Sequence, residues 1–184
     1  MHPGAVWIYN EAMNRAKLKK SLYTAAQWTW ALPQTLIGAG LYVKHRNDRH
    51  FDYQGACVTA WERKEGISLG KFIFVPGNKN SDRNDSPELS SEENTAYSQA
   101  CDLTTDAGLR EAGMSRFLLD HEYGHTLQSL ILGPAYLLLV GAPSMVWNRS
   151  RYFARKRQKT GRSYYSAIFE RTASRLGEKV SGNK

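Results

Sequence analysis

Apolar and polar positions change period several times along this chain, and each change predicts an element. Over residues 7–31, Leu18, Leu22, Ala25 and Trp28 recur at three- and four-residue spacing, which predicts an amphipathic helix ended or kinked by Pro33. A short apolar segment follows over 35–43, then a polar stretch over 44–50. Two strand-like runs, 55–61 and 69–75, flank the turn-rich residues 62–66 and predict a connection of hairpin type. Residues 78–95 are dense in Asn, Ser, Asp and Glu, too polar to offset the entropy of ordering, and predict a mobile loop within an acidic insertion at about 78–105. Phe117, Leu118, Leu127, Leu130 and Ile131 then outline a helix buried through most of its surface. The longest apolar run, 130–147, is interrupted by Gly133-Pro134, Gly141 and Pro143, and predicts a buried helix, a turn and a second buried helix. Near the C-terminus, Tyr165, Phe169, Thr172, Ala173 and Leu176 form one broad helical face, bordered by Glu170.

The first of the buried helices carries His121-Glu122-Tyr123-Gly124-His125. Histidines four residues apart lie on one face of a helix and can grip a single zinc ion, and the intervening glutamate reaches a water beside the metal as general base: this is the HExxH pattern of zinc peptidases. Charged and imidazole groups on so apolar a helix are costly unless a metal or partner satisfies them. Gly124 costs about 1 kcal/mol against alanine in mid-helix, which points to close approach by another backbone or by the wall of the site.

A catalytic zinc takes three protein ligands and keeps one position for water. Gln128 and Ile131 stand where a metzincin would have glycine and histidine, so that class is excluded. His2, His45 and His50 lie far upstream in polar or terminal surroundings. Of the acids after the motif, Glu170 and Glu178, Glu170 is the better third ligand because it borders a helical apolar face. In the gluzincin arrangement a further acid four residues on supports a ligand histidine; here Ser174 stands in that place, a weaker partner. The expected site is therefore His121, His125 and Glu170 on Zn2+, with Glu122 as the catalytic base and Tyr152, Tyr164 and Tyr165 eligible to stabilise the oxyanion.

Composition sets outer bounds. A chain of 184 residues with 41% hydrophobic content is expected to bury one core, as a single domain over 1–184. Cys57 and Cys101 can make at most one disulfide and lack zinc-ligand spacing. The N-terminus does not read as a secretory signal, and no clear transmembrane helix is expected. The net charge of +8 is uneven: residues 149–184, the basic C-terminal helical region, carry eleven lysines and arginines against two glutamates, while 78–120 carry nine acids against four bases. Such a block is read first as a solvated face or a dock for the chain's own acidic segment; nucleic acid is not expected, and membrane association is not favoured.

The series Trp30-Ala31-Leu32-Pro33-Gln34-Thr35, Tyr53-Gln54-Gly55-Ala56, Ile67-Ser68-Leu69-Gly70, the stretch from His121 to Ser129, Gly133-Pro134-Ala135-Tyr136-Leu137 and Ala142-Pro143-Ser144 resembles a bacterial family of zinc metallopeptidase domains, some at the C-terminal tips of RHS-repeat polymorphic toxins. The resemblance runs from about residue 28 to 176; the chain departs from the pattern at Ser174 and in the length of its acidic insertion. It implies an α+β fold: a mainly helical, zincin-like single domain with a small antiparallel sheet or β-hairpin beside the active-site helix. The activity implied is zinc-dependent hydrolysis of peptide bonds in a protein or peptide substrate, as a toxin or effector protease exported within a larger protein or by a specialised secretion system. A toxin would be matched by an immunity or inhibitor protein. By analogy with zinc peptidases, the strand at 69–75 would be the edge that holds an extended peptide. The alternatives are an amidohydrolase on a non-protein substrate, and a non-enzymatic binding or toxin module working through the basic C-terminal region.

Overall fold

A computed structural model describes residues 3–77, 109 and 113–181. The fold is α+β, mostly helical with one four-stranded sheet. Its described elements are α1 (Pro3–Thr29), α2 (Leu32–Lys44), β1 (Arg49–Tyr53), β2 (Ala56–Trp61), β3 (Ile67–Leu69), β4 (Phe72–Pro76), α3 (Arg116–Leu132), α4 (Ala142–Arg149), α5 (Arg151–Thr160) and α6 (Ile168–Ser181). The acidic segment at 78–105, expected as a mobile loop, and Cys101 within it lie outside the described residues.

The sheet corrects two expectations. The runs around residues 55–61 and 69–75 do not form a hairpin; β2 and β4 lie side by side in parallel, Cys57 opposite Phe72 and Ala60 opposite Val75. The chain leaves β2, runs out to the edge as β3, and returns as β4 between them, giving the order β1-β2-β4-β3. The sheet is therefore mixed rather than antiparallel. The cause is legible afterwards: β2 and β4 are apolar at almost every position, the mark of central strands covered on both faces. Val58, Ala60, Ile73 and Val75 face a core shared with Tyr23, Leu119 and Tyr123, while Trp61, Phe72 and Phe74 face Ala39, Leu41 and Tyr42 of α2. A true hairpin joins β1 to β2 instead, through Gln54 and Gly55 at φ 54° and 93°, the positive values a two-residue primed turn requires.

Helix α1 also buries a different face from the one its leucines suggest. Leu18 and Leu22 are exposed, and Tyr23 and Gln27 are buried. Gln27 explains the rotation: its Nε2 donates to Thr126 O at 3.0 Å and its Oε1 accepts from Ser129 Oγ at 3.1 Å, so a polar side chain docks α1 on α3. Pro33 does not end a helix. It sits in the first turn of α2, where its missing N–H has no partner to lose.

The apolar run from 130 to 147 is only partly interior. After Gly133, at φ 53°, come a 3-10 turn (Gly133–Ala135), a π turn (Leu137–Gly141) and α4, bent away from α3 by 118°. Tyr136 and Val140 point inward, but Leu138, Leu139, Met145 and Val146 are exposed, so the second helix is not the buried one expected. No single described helix is long and apolar enough to cross a membrane.

Candidate metal centre

Helix α3 starts at Ser115, whose side chain accepts from the Leu118 N–H, and it carries ten buried residues, among them every residue from Leu119 to Thr126. A helix with Asp120, His121, Glu122 and His125 all buried needs a partner for each. Tyr53 OH donates to Asp120, which also faces Arg116 Nε at 3.6 Å. The other three meet α6 and the sheet edge.

Helix α6 runs antiparallel to α3 at backbone contact. A Cβ on Gly124 would collide with the carbonyl of Ala173, and one on Gly177 with the carbonyl of Asp120. These two glycines, one on each helix, let the axes approach closely enough for side chains one turn away to converge. The sequence reading of Gly124 as a point of close backbone approach holds, and Gly177 is its unanticipated counterpart. The buried stripe of α6 is Glu170, Ala173 and Gly177, with Glu170 fully buried at its N-terminal end. Tyr165 precedes the helix in a 3-10 turn (Tyr164–Ser166).

His121, His125 and Glu170 come together, all buried, with one ligand atom from each lying within 4.8 Å of the others. Glu170 Oε2 is 3.0 Å from His121 Nε2 and 3.4 Å from His125 Nε2. The opposite ring nitrogens fix the tautomers. Gln128 Nε2 donates to Phe169 O at 2.8 Å and to Thr172 Oγ1 at 2.7 Å, so its Oε1 faces His125 Nδ1 as an acceptor at 2.8 Å. Ser174 Oγ donates to Glu170 O and accepts from His121 Nδ1 at 2.9 Å. With both Nδ1 atoms donating, the two Nε2 atoms and a carboxylate oxygen converge on one point, where either a proton or a metal cation between them balances the charge; two imidazoles with one carboxylate suit a divalent metal. The cluster could bind a metal ion.

Charges respond accordingly. Burial alone would raise the Glu170 carboxyl, but hydrogen bonds from His121 and His125, the charge of His125 and a bond from Ser144 outweigh it and hold it well below the usual carboxylate range. Burial works to lower His125, yet the Glu170 hydrogen bond and the charges of Glu122 and Glu170 prevail and push it up. The remaining oxygen, Glu170 Oε1, accepts from Ser144 Oγ and from Tyr164 OH at 2.9 Å. Both lie in or beside the bent apolar segment, which thus packs over the site.

Glu122 is buried on the side of the cluster toward the sheet. Ser68 Oγ, on β3, lies 2.7 Å from Glu122 Oε2 and 2.7 Å from its backbone carbonyl, tying α3 to the edge strand. Gly66 is opposite; a Cβ there would strike the Glu122 carboxylate. A cavity of about 390 Å³ opens on Glu122 and His125, walled by β3, Tyr136, Leu137, Met145 and Tyr164. The strand beside the site is β3, not the run at 69–75, whose greater part is the interior strand β4.

Of the three tyrosines considered for oxyanion duty, Tyr164 lines the cavity, Tyr165 stacks edge-on against His121 at 4.9 Å, and Tyr152 is exposed and does not line it. Gln128, Ser144, Ser68 and Gly66 were not anticipated. Gln128 alone had a local signal, as a polar residue three positions after His125 on a buried helix. His45 and His50 lie away from the cluster, paired with Asp48 and Thr59. Comparison with protein-family models, curated proteins and solved structures returns no match.

Proposed function

We propose that this chain is a zinc-dependent hydrolase of peptide bonds, with a zincin-like site in which His121, His125 and Glu170 are the metal ligands and Glu122 is the general base. The observation that carries the reading is the division of labour among four buried groups. Three present lone pairs to one point, each braced from behind by Ser174, Gln128, or Ser144 with Tyr164. The fourth, Glu122, is held aside by Ser68 and faces the cavity. A structural site would have no use for a separate carboxylate lining a cleft. When bound, zinc supplies Lewis acidity, polarising the scissile carbonyl and acidifying a water molecule.

The protein's own groups do the rest. Glu122 takes a proton from the attacking water as its oxygen bonds to the carbonyl carbon, then delivers that proton to the departing nitrogen as the C–N bond breaks. Tyr164, on the cavity wall, keeps its proton because burial pushes its phenol well above the ordinary value; turning that proton from Glu170 Oε1 toward developing negative charge would make it the oxyanion donor. Edge strand β3, with Ser68 turned inward, offers backbone groups along which an extended peptide could add as a strand.

The test is elemental analysis of the purified chain beside Glu170→Ala, together with cleavage of a mixed peptide pool. One equivalent of zinc in the parent, its loss in the variant, and metal-dependent cleavage are expected. Zinc bound without any cleavage of peptides would overturn the peptidase assignment while leaving the metal centre in place.

A further inference from the structure

Between Glu122 and Glu170 the chain has no acidic residue at all, yet seven lysines and arginines fall within it, at 149–162. Arg157 is turned inward, donating to Trp147 O at 2.6 Å. Arg151, Arg155, Lys156 and Lys159 on α5 are exposed, and none forms an ion pair with a described carboxylate. Immediately before them the bent segment presents bare aliphatic side chains: Leu138 is 77% exposed, Leu139 60%, Met145 55% and Val146 54%. Leu138, Leu139 and Val146 follow one outer face of the π turn and α4, opposite the inward Tyr136 and Val140, with Met145 at the edge of that face where it also lines the cavity.

From this pairing of bare leucines with cations that no described carboxylate neutralises we propose that the face formed by the π turn, α4 and α5 docks on an anionic lipid bilayer, with Leu138 and Leu139 entering the interface and α5 lying on the headgroups. The chemistry selects this occupant. A second copy of the same face would repel it through like charge. A nucleic acid would satisfy the cations but leave the leucines in water, and so would the chain's own acidic segment at 78–105. A bilayer with anionic headgroups satisfies both, by burial of apolar area and by attraction that amounts to a few-fold in affinity for each cation near the surface. The same segment meets the length and hydropathy of a membrane span only when joined to α3 across a 118° bend. Because α3 is buried in the protein through its histidines and carboxylates, the contact is interfacial and not a crossing. Leu137, Met145 and Arg149 also wall the cavity, so the cleft opens beside the docked surface. The proposal does not depend on catalysis.

The experiment is co-sedimentation of the full chain with vesicles of phosphatidylcholine alone and of an equal mixture with phosphatidylserine. Two double variants at exposed positions, Leu138→Asp with Leu139→Asp and Arg155→Gln with Lys156→Gln, are run alongside, with circular dichroism to verify folding. Binding to the mixed vesicles only, weakened by salt and reduced about thirtyfold by loss of two cations, is expected. The leucine variant should also lose binding. Equal sedimentation with both vesicle types, or none with either, would overturn the proposal. So would a lipid-free dimer that the leucine variant dissolves, or salt-sensitive binding to an RNA probe that the leucine variant leaves intact.

Discussion

Glu122 and Gln128 do different things at the scale of single residues, and that difference is measurable. Glutamine at 122 keeps the size of glutamate and can still bond Ser68, but it cannot take a proton from water. Glu122→Gln should therefore lower hydrolysis by about 100-fold to 10,000-fold while bound zinc and thermal stability stay near those of the parent. Wild-type turnover by a zinc-loaded variant would remove Glu122 from the mechanism. Gln128 does not line the cavity; its Oε1 faces His125 Nδ1 and so leaves Nε2 to carry the lone pair. Gln128→Leu should weaken zinc affinity by about 10-fold to 100-fold, read by competition with a chromophoric chelator, since loss of such a supporting bond frees the ring to turn. Ser174→Ala is expected to cost less, because a hydroxyl is the weaker support, though a water could replace it. An equal loss from both would mean that orientation of His125 is not what Gln128 provides.

Helices α3 and α6 show where such a site comes from, and how much of it the sequence announces. Gly124→Ala should force the two axes apart at Ala173, destabilising the fold by about 1–3 kcal/mol in urea unfolding and loosening zinc binding through the displaced Glu170. Gly177→Ala should do the same at Asp120; an alanine tolerated at both places would show that the close approach is not needed. The i, i+4 histidine pair was legible because helical spacing alone places both rings on one face, and Glu122 was legible as the acid beside the first of them in the same motif. Glu170 was legible as a carboxylate bordering a helical apolar face. Ser68, Gly66 and Ser144 were not, since each reaches the site through tertiary contact between segments distant in sequence. The parallel pairing of β2 and β4 was hidden for a related reason: their buried runs give no alternation by which to choose a partner. A tyrosine seam between α1, β1 and α3 adds a pH limit. Burial pushes Tyr123 up to about 12, and Tyr23 and Tyr53 higher still, from an ordinary value of 10.0. Their stabilising share is whole below the unfolded value near 10 and is lost as the pH rises through the folded values. Tyrosinate absorbance should appear together with loss of helical circular dichroism, not before it.

For the whole molecule, metal and fold should be coupled. The ligands come from two helices forty-five residues apart in sequence, between His125 and Glu170, so an ion bound there would add a cross-link to the backbone-close packing of α3 on α6. Chelation would leave two imidazoles and a carboxylate buried with only a proton to share, so that α6 is held on α3 by their close packing and the Gln128 hydrogen bonds. A ligand present at a thousand times its dissociation constant stabilises the folded state by about 4 kcal/mol, which in a chain of this size raises Tm by roughly 10 °C. The zinc-loaded chain should therefore melt about that much above the chelated one, and Glu170→Ala should melt at one temperature with or without zinc. The sheet core around Val58 and Ile73 packs with Leu119 and Tyr123 of α3 and includes no residue of α6, so strand signal should outlast the loss of α6 protection in hydrogen exchange of the chelated protein. A parent chain whose Tm ignores both chelator and added zinc would mean that the convergence of His121, His125 and Glu170 binds no ion, and the reading of the site as a zinc centre would fall with it.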